Sequence, residues 1–452
     1  MKFCTMTLGC KVNQVETEAI ESALISNGNI LASLGDDCDV CIINTCAVTA
    51  ESVRKSRQAV RKMRKAEPEA LIAVCGCLSQ LETDSAVSLG ADIIGGSGSR
   101  LEFAEKIEKA VAKKLDTETL TTTEDAEDDL LVNNKGDMII AVDDPFHRKW
   151  FEELPPGDAY RRTRALLKIQ DGCDNFCAYC IIPYARGNVR SLPLKRASDN
   201  ARELTERGYK EIVITGIEIS SYGRDLDEKP TVIDAIKSIS AVSLSARLRL
   251  GSLDPRVFTG DFCYSLSEIK NLCDHFHLSL QSGCDATLYR MGRKYSTGEV
   301  LESISLLRSL FPGCGITADL IAGFPGETDE EFAKTIEFIK AARFSDMHIF
   351  PFSQRPGTKA ATMSGQTTKA VRHNRACYAR DVADTMKREF LIGQIGKILE
   401  VLPERKREGR WVGHSGNYIE VTLANGGEKN VFTKVEITDV VENQVFGSLA
   451  DL

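Results

Sequence analysis

Residues 165–180 read ALLKIQDGCDNFCAYC, a short apolar strand that runs directly into three cysteines. Five further strand-like runs follow, each leading into a helical or turn segment, and two of the helices begin with capping boxes, Ser296 with Glu299 and Thr328 with Glu331. Six consecutive βα units predict a partial (β/α)6 barrel related to the (β/α)8 architecture, with active-site groups where the strands end. The later runs are EIVITGIEI (211–219), ARLRLGSL (246–253), HFHLSLQ (275–281), ITADLIAGFP (316–325) and MHIFPFS (347–353).

Cys173, Cys177 and Cys180 form a CxxxCxxC cluster at the mouth of the predicted barrel. Three closely spaced thiolates can hold three irons of a 4Fe-4S cluster and leave the fourth iron without a protein ligand. A structural zinc site would need a fourth cysteine or histidine nearby, and none follows at zinc-finger spacing. The spacing therefore predicts an open iron–sulfur cluster, with zinc or plain buried thiols as alternatives.

The first 115 residues alternate strand-like and helix-like segments, which predicts βαβ units on a parallel sheet. Three of these strands finish at a cysteine: Cys10, Cys46 and Cys77. Since the carboxyl ends of parallel strands converge on one crevice, we expect a second three-thiolate site there, although a single cysteine is more often a small buried apolar side chain. Cys75 shares a strand face with Cys77 and is the alternative ligand. We choose Cys77 because it ends the strand.

The 452 residues suffice for about three domains. An odd count of 15 cysteines in a chain without a secretory signal predicts reduced thiols in the cytoplasm. With 42% hydrophobic and 27% charged residues and no long apolar run, the composition excludes collagen-like, wholly disordered and membrane-spanning proteins. We expect an N-terminal domain at 1–115, an acidic linker or surface excursion at 116–157, the barrel domain at 158–388, and a small OB-like β-barrel of about five strands at 389–452.

The cysteine loop resembles the signature of the radical S-adenosylmethionine (SAM) superfamily, and motifs along the whole chain resemble its methylthiotransferases. Those enzymes join a three-cysteine N-terminal domain, a radical domain and a C-terminal TRAM barrel. The resemblance implies that the open iron chelates SAM, that electron transfer yields a 5′-deoxyadenosyl radical, and that Tyr179 lies near the adenine. The matching motifs are LGCKVNQ (8–14), NTCAVT (44–49), GCLSQ (76–80), CDNFCAYCIIPYARGNVRS (173–191), LGSLDP (250–255), HLSLQSGCDATLYRMGRKY (277–295), DLIAGFPGET (319–328) and PFSQRPGTKA (351–360).

The GCKVNQ opening resembles the branch that acts on N6-threonylcarbamoyladenosine at position 37 of tRNA. The C2–H bond of adenine is not acidic, so a general base cannot open it, and the chemistry must come from a cofactor. The resemblance implies that one SAM methylates a sulfur on a cluster held by Cys10, Cys46 and Cys77, and that a second SAM supplies the radical for methylthio insertion at C2. The implied cofactors are two 4Fe-4S clusters and SAM. The implied partners are tRNA and an electron donor of flavodoxin or ferredoxin type, with neither DNA nor a membrane.

Three other hypotheses stay open. Related branches of the family act on an isopentenyladenosine in tRNA or on an aspartate of a ribosomal protein. A non-enzymatic iron–sulfur electron carrier belongs to a different class, and it would normally close every iron with cysteine. An RNA-binding module with zinc-filled cysteines would contain zinc without iron.

Two further sets of residues are candidates for ligand binding because of their positions in the chain. Polar residues at the strand ends of the barrel are candidates for binding SAM or for structural hydrogen bonds. They are Thr215, Glu218, Ser252, Gln281, Ser282, Asp319 and Gly323.

Local basic runs in this chain of net charge −8 are candidates for tRNA phosphate contact or for solvated faces. We also expect Arg186 and Arg190 to face the substrate, and Trp411 and Tyr418 to stack on bases or to belong to the core. The basic residues are Arg54, Lys55, Arg57, Arg61 and Lys62 on a predicted helix, and Arg405, Lys406, Arg407 and Arg410 in the C-terminal barrel.

Overall fold

The N-terminal unit is a six-stranded parallel sheet of order β2-β1-β3-β4-β5-β6. The structure, a computed structural model, describes residues 1–119, 138–155 and 163–450. The strands are β1 (Lys2–Thr7), β2 (Ile30–Leu31), β3 (Val40–Thr45), β4 (Leu71–Gly76), β5 (Ile93–Gly95) and β6 (Ile139–Ala141). The helices are α1 (Lys11–Ser26), α2 (Ala50–Ala66), α3 (Cys77–Leu81), α4 (Thr83–Ser88) and α5 (Arg100–Thr119).

Helices cover both faces of this sheet. Ile20 of α1 and Phe103 of α5 pack on one face, and Val60 and Met63 of α2 pack on the other. Because α1 and α2 leave the sheet toward opposite faces, the carboxyl ends of β1 and β3 flank a crevice of the kind that binds ligands in open α/β sheets.

The segment predicted as a linker at 116–157 is described only in part. Residues 120–137 and 156–157 lie outside the described residues, whereas β6 pairs in parallel with β5 and extends the N-terminal sheet. β6 could not be predicted from the sequence, because three half-buried residues at a sheet edge are too few for a periodic pattern.

The second unit is an open half-barrel of parallel strands arranged in chain order. The run ARLRLGSL breaks into two strands at Gly251, whose Cα lies so close to β10 that a Cβ would come within 2.9 Å of the Ile214 carbonyl oxygen. Both predicted capping boxes are confirmed. The strands are β7 (Arg164–Lys168), β10 (Glu211–Thr215), β11 (Arg247–Leu250), β12 (Ser252–Leu253), β13 (His275–Gln281), β14 (Gly315–Ala322) and β15 (Asp346–Pro351), with a short antiparallel pair, β8 (Gln170–Asp171) and β9 (Arg190–Ser191), beside β7.

Helices follow the strands of the half-barrel and lead into the next unit, and the first of them, α6 (Ile182–Arg186), packs against the N-terminal unit. They are α6 (Ile182–Arg186), α7 (Leu194–Glu206), α8 (Val232–Val242), α9 (Gly260–Ser267), α10 (Asp285–Met291), α11 (Thr297–Leu310), α12 (Asp329–Ala342), α13 (Lys359–Thr362) and α14 (Lys369–Ile392). No helix in the described part of the chain is long and apolar enough to span a bilayer.

The third unit is a closed five-stranded barrel of order β16-β17-β18-β20-β19. Its core contains Val401, Val421, Val435 and Val445. The strands are β16 (Ile398–Arg407), β17 (Arg410–Ser415), β18 (Glu420–Leu423), β19 (Thr433–Val441) and β20 (Gln444–Leu449). A parallel-sheet N-terminal domain, a partial (β/α)6 barrel and a small C-terminal β-barrel confirm the predicted α/β multidomain fold.

The C-terminal barrel docks on the half-barrel through a buried ionic joint. Glu211 of β10 accepts hydrogen bonds from Arg249 Nε at 2.7 Å, and Arg249 Nη2 donates to the Ser415 carbonyl at 2.9 Å. Next to this joint the Tyr418 ring stacks on the His275 ring, with their centroids 4.6 Å apart. The two units therefore share a continuous polar interface.

Candidate active site

The cysteines of the CxxxCxxC motif lie on the loop between β8 and α6, at the carboxyl end of the half-barrel. Cys173 and Cys177 are buried, and Cys180 is half-buried. Burial raises the pKa of the Cys173 and Cys180 thiols to about 12, and the nearby Cys177 adds to the effect. Because these thiols resist ionisation on their own, a metal bound here would have to displace their protons.

Arg293, which was not predicted as a site residue, contacts this loop. Its Nη1 donates to Cys177 Sγ at 3.3 Å, and its Nη2 donates to Asp254 Oδ2 at 2.9 Å. The carboxylate of Glu218 is close enough to Cys173 to oppose ionisation of that thiol. The loop therefore has a fixed cation and a carboxylate among its neighbours.

The predicted N-terminal cysteines meet at the crevice of the parallel sheet. Cys10 lies at the N-terminus of α1, Cys46 follows β3, and Cys77 begins α3. The loops approach so closely that a Cβ at Gly9 would lie 3.1 Å from Cys46 Sγ. Burial raises the pKa of Cys77 to about 12, and Cys46 and Cys10 are near enough to raise it further.

Cys75 lies apart from this group. Its side chain is fully buried in the core cluster between the sheet and helices α1 and α5 that also contains Phe3 and Phe103, where the Arg100 guanidinium lies beside its sulfur. Between the two cysteines, Gly76 adopts a φ of +105°, a conformation that L side chains rarely adopt, and it turns the chain into α3. The geometry therefore favours Cys77 over Cys75 as the third ligand.

Both cysteine triads fit a four-iron cluster better than a single metal ion. Among the residues that the structure describes, no three His, Cys, Asp or Glu side chains converge on a point that would hold one ion. A 4Fe-4S cluster makes a different demand, because each thiolate binds a different iron, so the sulfur atoms surround the cluster instead of meeting at a point. Three thiols on one loop, and three at adjacent strand ends, are compatible with that demand, and three thiolates would leave one iron of such a cluster open.

A buried ionic network joins the two triads. Arg186 follows the CxxxCxxC loop, and its Nη1 donates to Glu16 Oε1 at 2.7 Å and to Asp171 Oδ1 at 3.1 Å. Arg186 is also close enough to Cys10 and Cys77 to favour their thiolate forms. The network fixes the N-terminal sheet to the half-barrel beside the N-terminal triad.

The expectation that Arg186 and Arg190 face the substrate is wrong. Arg186 is 0% exposed and Arg190 is 4% exposed. Both guanidinium groups pair with the buried Asp171. A charge inside a protein requires a counter-charge, and that requirement, not substrate contact, accounts for these arginines.

A cavity of about 790 Å³ opens beside Cys10 and extends between all three units. The N-terminal sheet contributes Cys10 and Lys11, and the C-terminal barrel contributes His414 and Tyr418. Four of the six histidines of the chain line this cavity. From the half-barrel come Thr215, Arg249, Ser252, His275, His277, Thr317, Asp319, Asp346, His348 and Lys387.

Comparisons with known proteins agree with this architecture. The family model described as the radical SAM superfamily matches residues 167–339, and that of an uncharacterized protein family, UPF0004, matches residues 2–95. Threonylcarbamoyladenosine tRNA methylthiotransferase MtaB of Bacillus subtilis is 34% identical over 92% of this chain and 89% of its own length. The chain belongs to the radical SAM tRNA methylthiotransferases. Membership implies a 4Fe-4S cluster, SAM and a tRNA substrate.

Other methylthiotransferases are similar over most of their length. MtaB of Thermotoga maritima is 32% identical over 99% of this chain and 96% of its own. The tRNA-2-methylthio-N(6)-dimethylallyladenosine synthase of Clostridium tetani is 31% identical over 82% of this chain and 79% of its own. A solved structure of the radical SAM methyltransferase TsrM from Kitasatospora setae shares the fold, with a TM-score of 0.54 and 13% identity over 80% of this chain and 77% of that one.

The residues predicted to bind SAM in this methylthiotransferase do not all lie in the same place. Thr215, Ser252 and Asp319 line the cavity beside Cys10. Glu218 and Tyr179 lie near the CxxxCxxC cysteines instead.

The remaining three predicted residues do not line the cavity. Gln281 adopts a φ of +69° at the end of β13, and Ser282 is fully buried, with its hydroxyl accepting from the Cys284 backbone N–H. Gly323 packs against Arg372, and its N–H donates to Glu327. Ser282 and Gly323 therefore have structural partners already.

Several of the basic residues predicted to contact RNA are paired with acidic ones. On α2, Glu51 pairs with both Arg54 and Lys55, while Arg57 pairs with Glu82. Arg61 and Lys62 are exposed on the same helix.

The basic turn of the C-terminal barrel is arranged in a similar way. Arg405 and Arg407 both pair with Glu420, whereas Arg410 is exposed. The Lys406 ammonium lies 5.1 Å from the centre of the Trp411 ring, which is itself packed on the barrel core. The exposed cations Arg61, Lys62 and Arg410 are therefore the candidates with most freedom to reach phosphate.

Proposed function

We propose that this chain transfers a methylthio group to C2 of N6-threonylcarbamoyladenosine at position 37 of tRNA, giving 2-methylthio-N6-threonylcarbamoyladenosine. The observation that carries the proposal is the shared cavity. Cys10 of the N-terminal triad and the half-barrel residues Thr215, Ser252 and Asp319 line one chamber. A nucleoside held in that chamber would lie beside the N-terminal triad and inside the half-barrel whose first strands lead into the CxxxCxxC loop.

Each cysteine triad has its own role in this proposal. Cys173, Cys177 and Cys180 would hold a 4Fe-4S cluster which, when bound, delivers an electron that splits SAM. Cys10, Cys46 and Cys77 would hold a second cluster, at which sulfur is supplied and methylated by another SAM. Arg186 keeps the two loops at a fixed separation through its bonds to Glu16 and Asp171. The electron donor would be of flavodoxin or ferredoxin type.

The lining of the cavity supports the threonylcarbamoyl nucleoside over the isopentenyl one. An isopentenyl group is apolar and would desolvate charged side chains such as Asp319, which pairs with His277 Nε2 at 3.1 Å. A threonylcarbamoyl group carries a carboxylate, a hydroxyl and amide groups that can form hydrogen bonds with such a wall. The names of the Bacillus and Thermotoga relatives agree with this choice.

Anaerobic reconstitution of cysteine variants tests the proposal. The parent enzyme should bind about eight irons, cleave SAM to 5′-deoxyadenosine and methylthiolate a tRNA that carries N6-threonylcarbamoyladenosine. Cys77→Ala should bind about half the iron and cleave SAM without methylthiolating RNA. Cys173→Ala should lose SAM cleavage itself. The matched control is Cys75→Ala, which should retain the iron and both activities because its thiol is buried in the core beside Arg100 and not among Cys10, Cys46 and Cys77.

Three results would contradict the proposal. An active Cys77→Ala variant would remove the second cluster from the mechanism. Methylthiolation of isopentenyladenosine in place of the threonylcarbamoyl nucleoside, measured by mass spectrometry of digested tRNA, would refute the substrate. A parent enzyme that binds iron but never cleaves SAM would favour an electron carrier.

A further inference from the structure

We propose that the cavity beside Cys10 contains a subsite for the threonyl group of the substrate nucleoside, in which Lys11 binds the carboxylate and His275 accepts a hydrogen bond from the hydroxyl. The inference deepens the proposed function and rests on it, because it takes N6-threonylcarbamoyladenosine as the nucleoside that enters the cavity.

Lys11 is the cation of the cavity that lacks an acidic partner among the described residues. Arg249 is held by Glu211 at 2.7 Å, and Lys387 Nζ is held by Asp346 Oδ2 at 2.7 Å. The Lys11 ammonium forms no hydrogen bond or ion pair with any residue that the structure describes. Its exposed side chain lines the cavity directly after Cys10. An anion entering the cavity would therefore meet a cation that no carboxylate of the described residues neutralises.

The second feature is a directed chain of hydrogen bonds in the wall of the half-barrel. His277 Nε2 lies 3.1 Å from the Asp319 carboxylate, which can only accept, so this nitrogen carries a proton. When the His277 ring is neutral, its Nδ1 accepts and the Thr317 hydroxyl donates to it at 2.8 Å. Having given its proton to His277, Thr317 Oγ1 accepts from His275 Nε2 at 3.0 Å.

The chain ends at an unused acceptor. Because His275 Nε2 carries the proton, His275 Nδ1 presents a lone pair, and this buried atom has no partner among the described residues. The ring is 5% exposed, and burial together with the nearby Arg249 and Lys11 lowers its pKa well below the ordinary value, so the ring stays neutral. A buried polar atom without a partner is uncommon in a folded protein, and a donor on a ligand would satisfy it.

The Lys11 ammonium and His275 Nδ1, the two groups without partners, match the carboxylate and the hydroxyl of the threonyl substituent. Lys11 and His275 are close enough for their charges to interact, and both line the cavity that contains Cys10. A threonyl group carries its carboxylate and its hydroxyl on adjacent carbons, so it offers an anion and a donor over a similarly short span. Adenosine and isopentenyladenosine lack both groups. The subsite would thus select the substrate before any chemistry begins.

Binding to anticodon stem-loop RNAs tests the subsite without relying on turnover. The RNAs carry, at position 37, N6-threonylcarbamoyladenosine, its methyl ester or unmodified adenosine, and fluorescence anisotropy measures their affinity for the full-length reconstituted enzyme. The parent should prefer the free carboxylate about tenfold or more over both other RNAs, as one charge-assisted hydrogen bond allows. Lys11→Met should abolish that preference and leave the affinity for the adenosine RNA unchanged. The matched control is Lys340→Met, on the outer face of α12, which should behave like the parent.

A second variant tests the hydroxyl contact. His275→Phe keeps a ring that can stack on Tyr418 but removes the acceptor. It should lose any preference for the threonyl RNA over one carrying the glycyl analogue, which has no hydroxyl.

The outcomes separate the inference from the proposed function. If Lys11→Met weakens all three RNAs equally, Lys11 contacts phosphate and the subsite is refuted. If the variant keeps the preference of the parent, the carboxylate binds elsewhere and the subsite is again refuted, while the proposed function stands. If the parent shows no preference and forms no methylthio product from the threonylcarbamoyl RNA, the proposed function fails and the subsite fails with it.

Discussion

Replacing Glu211 with Gln should loosen the joint between the half-barrel and the C-terminal barrel. Glu211 is 0% exposed and accepts hydrogen bonds from Arg247 Nε and Arg249 Nε, both at 2.7 Å. Those two arginines in turn donate to the carbonyls of Glu400, His414, Ser415 and Gly416 in the C-terminal barrel. Without the carboxylate, two buried guanidinium groups would lose their counter-charge.

The size of the effect follows from the electrostatics of this carboxylate. Burial alone would raise the pKa of Glu211, but Arg249 and Arg247 overcome that effect and hold it at about 2. The difference from the ordinary value of 4.5 corresponds to about 3 kcal/mol. Breaking a buried ion pair typically costs about 3–5 kcal/mol, which is the same range.

Denaturant unfolding measures this loss. Trp411 packs on the core of the C-terminal barrel, so its fluorescence reports that unit, while Trp150 is 84% exposed and should change little. Glu211→Gln should lower the free energy of unfolding of the barrel by about 3 kcal/mol near neutral pH. The control Glu337→Gln, exposed on α12, should change it by less than about 0.5 kcal/mol.

The pH dependence gives a second check with a defined sign. Because the folded-state pKa is depressed, the stabilisation from Glu211 is fully present above about pH 4.5 and declines as the pH falls toward about 2. More than half of the difference between parent and variant should therefore be gone at about pH 3. A loss below about 1 kcal/mol at neutral pH, or a difference that does not shrink in acid, would refute the argument.

Two further predictions concern the N-terminal unit. Gly76→Ala should destabilise the sheet by about 1–3 kcal/mol, because φ is +105° and a Cβ would collide with the neighbouring strand. A thermal melt would detect this loss of stability, and an unchanged melting midpoint would contradict the prediction. Arg61→Ala with Lys62→Ala should reduce the slope of log affinity for tRNA against log salt by about one to two, as expected for two lost phosphate contacts. The control is Arg64→Ala, at a residue already paired with Asp92. An equal reduction of the salt slope in this control would mean that the exposed face of α2 does not bind RNA.

The sequence predicted the architecture because its signals are local. Strand runs, capping boxes and strand-end cysteines each depend on neighbouring residues, and a parallel sheet then brings the ends of its strands together without further information. Cys10, Cys46 and Cys77 were brought together in this way. The choice between Cys75 and Cys77 needed the turn at Gly76, which becomes evident only when its φ is known.

Charged residues that meet across domains could not be predicted in the same way. Arg186 pairs with Glu16, 170 residues earlier in the chain, and Arg293 reaches Cys177 across 116 residues. No spacing rule connects such partners, and a basic residue looks the same in sequence whether it faces RNA or a buried carboxylate. The sequence does not distinguish Lys11 from other lysines, since an unpaired ammonium can be recognised only after the possible partners have been located.

The stack of Tyr418 on His275 determines what happens when such an enzyme is truncated between its domains. The C-terminal barrel does more than bind RNA, because the loop that carries Tyr418 forms one wall of the cavity beside Cys10. An enzyme truncated before β16 would expose that cavity to bulk water as well as bind tRNA more weakly. We expect the truncated enzyme to cleave SAM without modifying any nucleoside. A C-terminal barrel grafted from another protein should restore the link between SAM cleavage and modification only if it places an equivalent aromatic residue on the His275 ring.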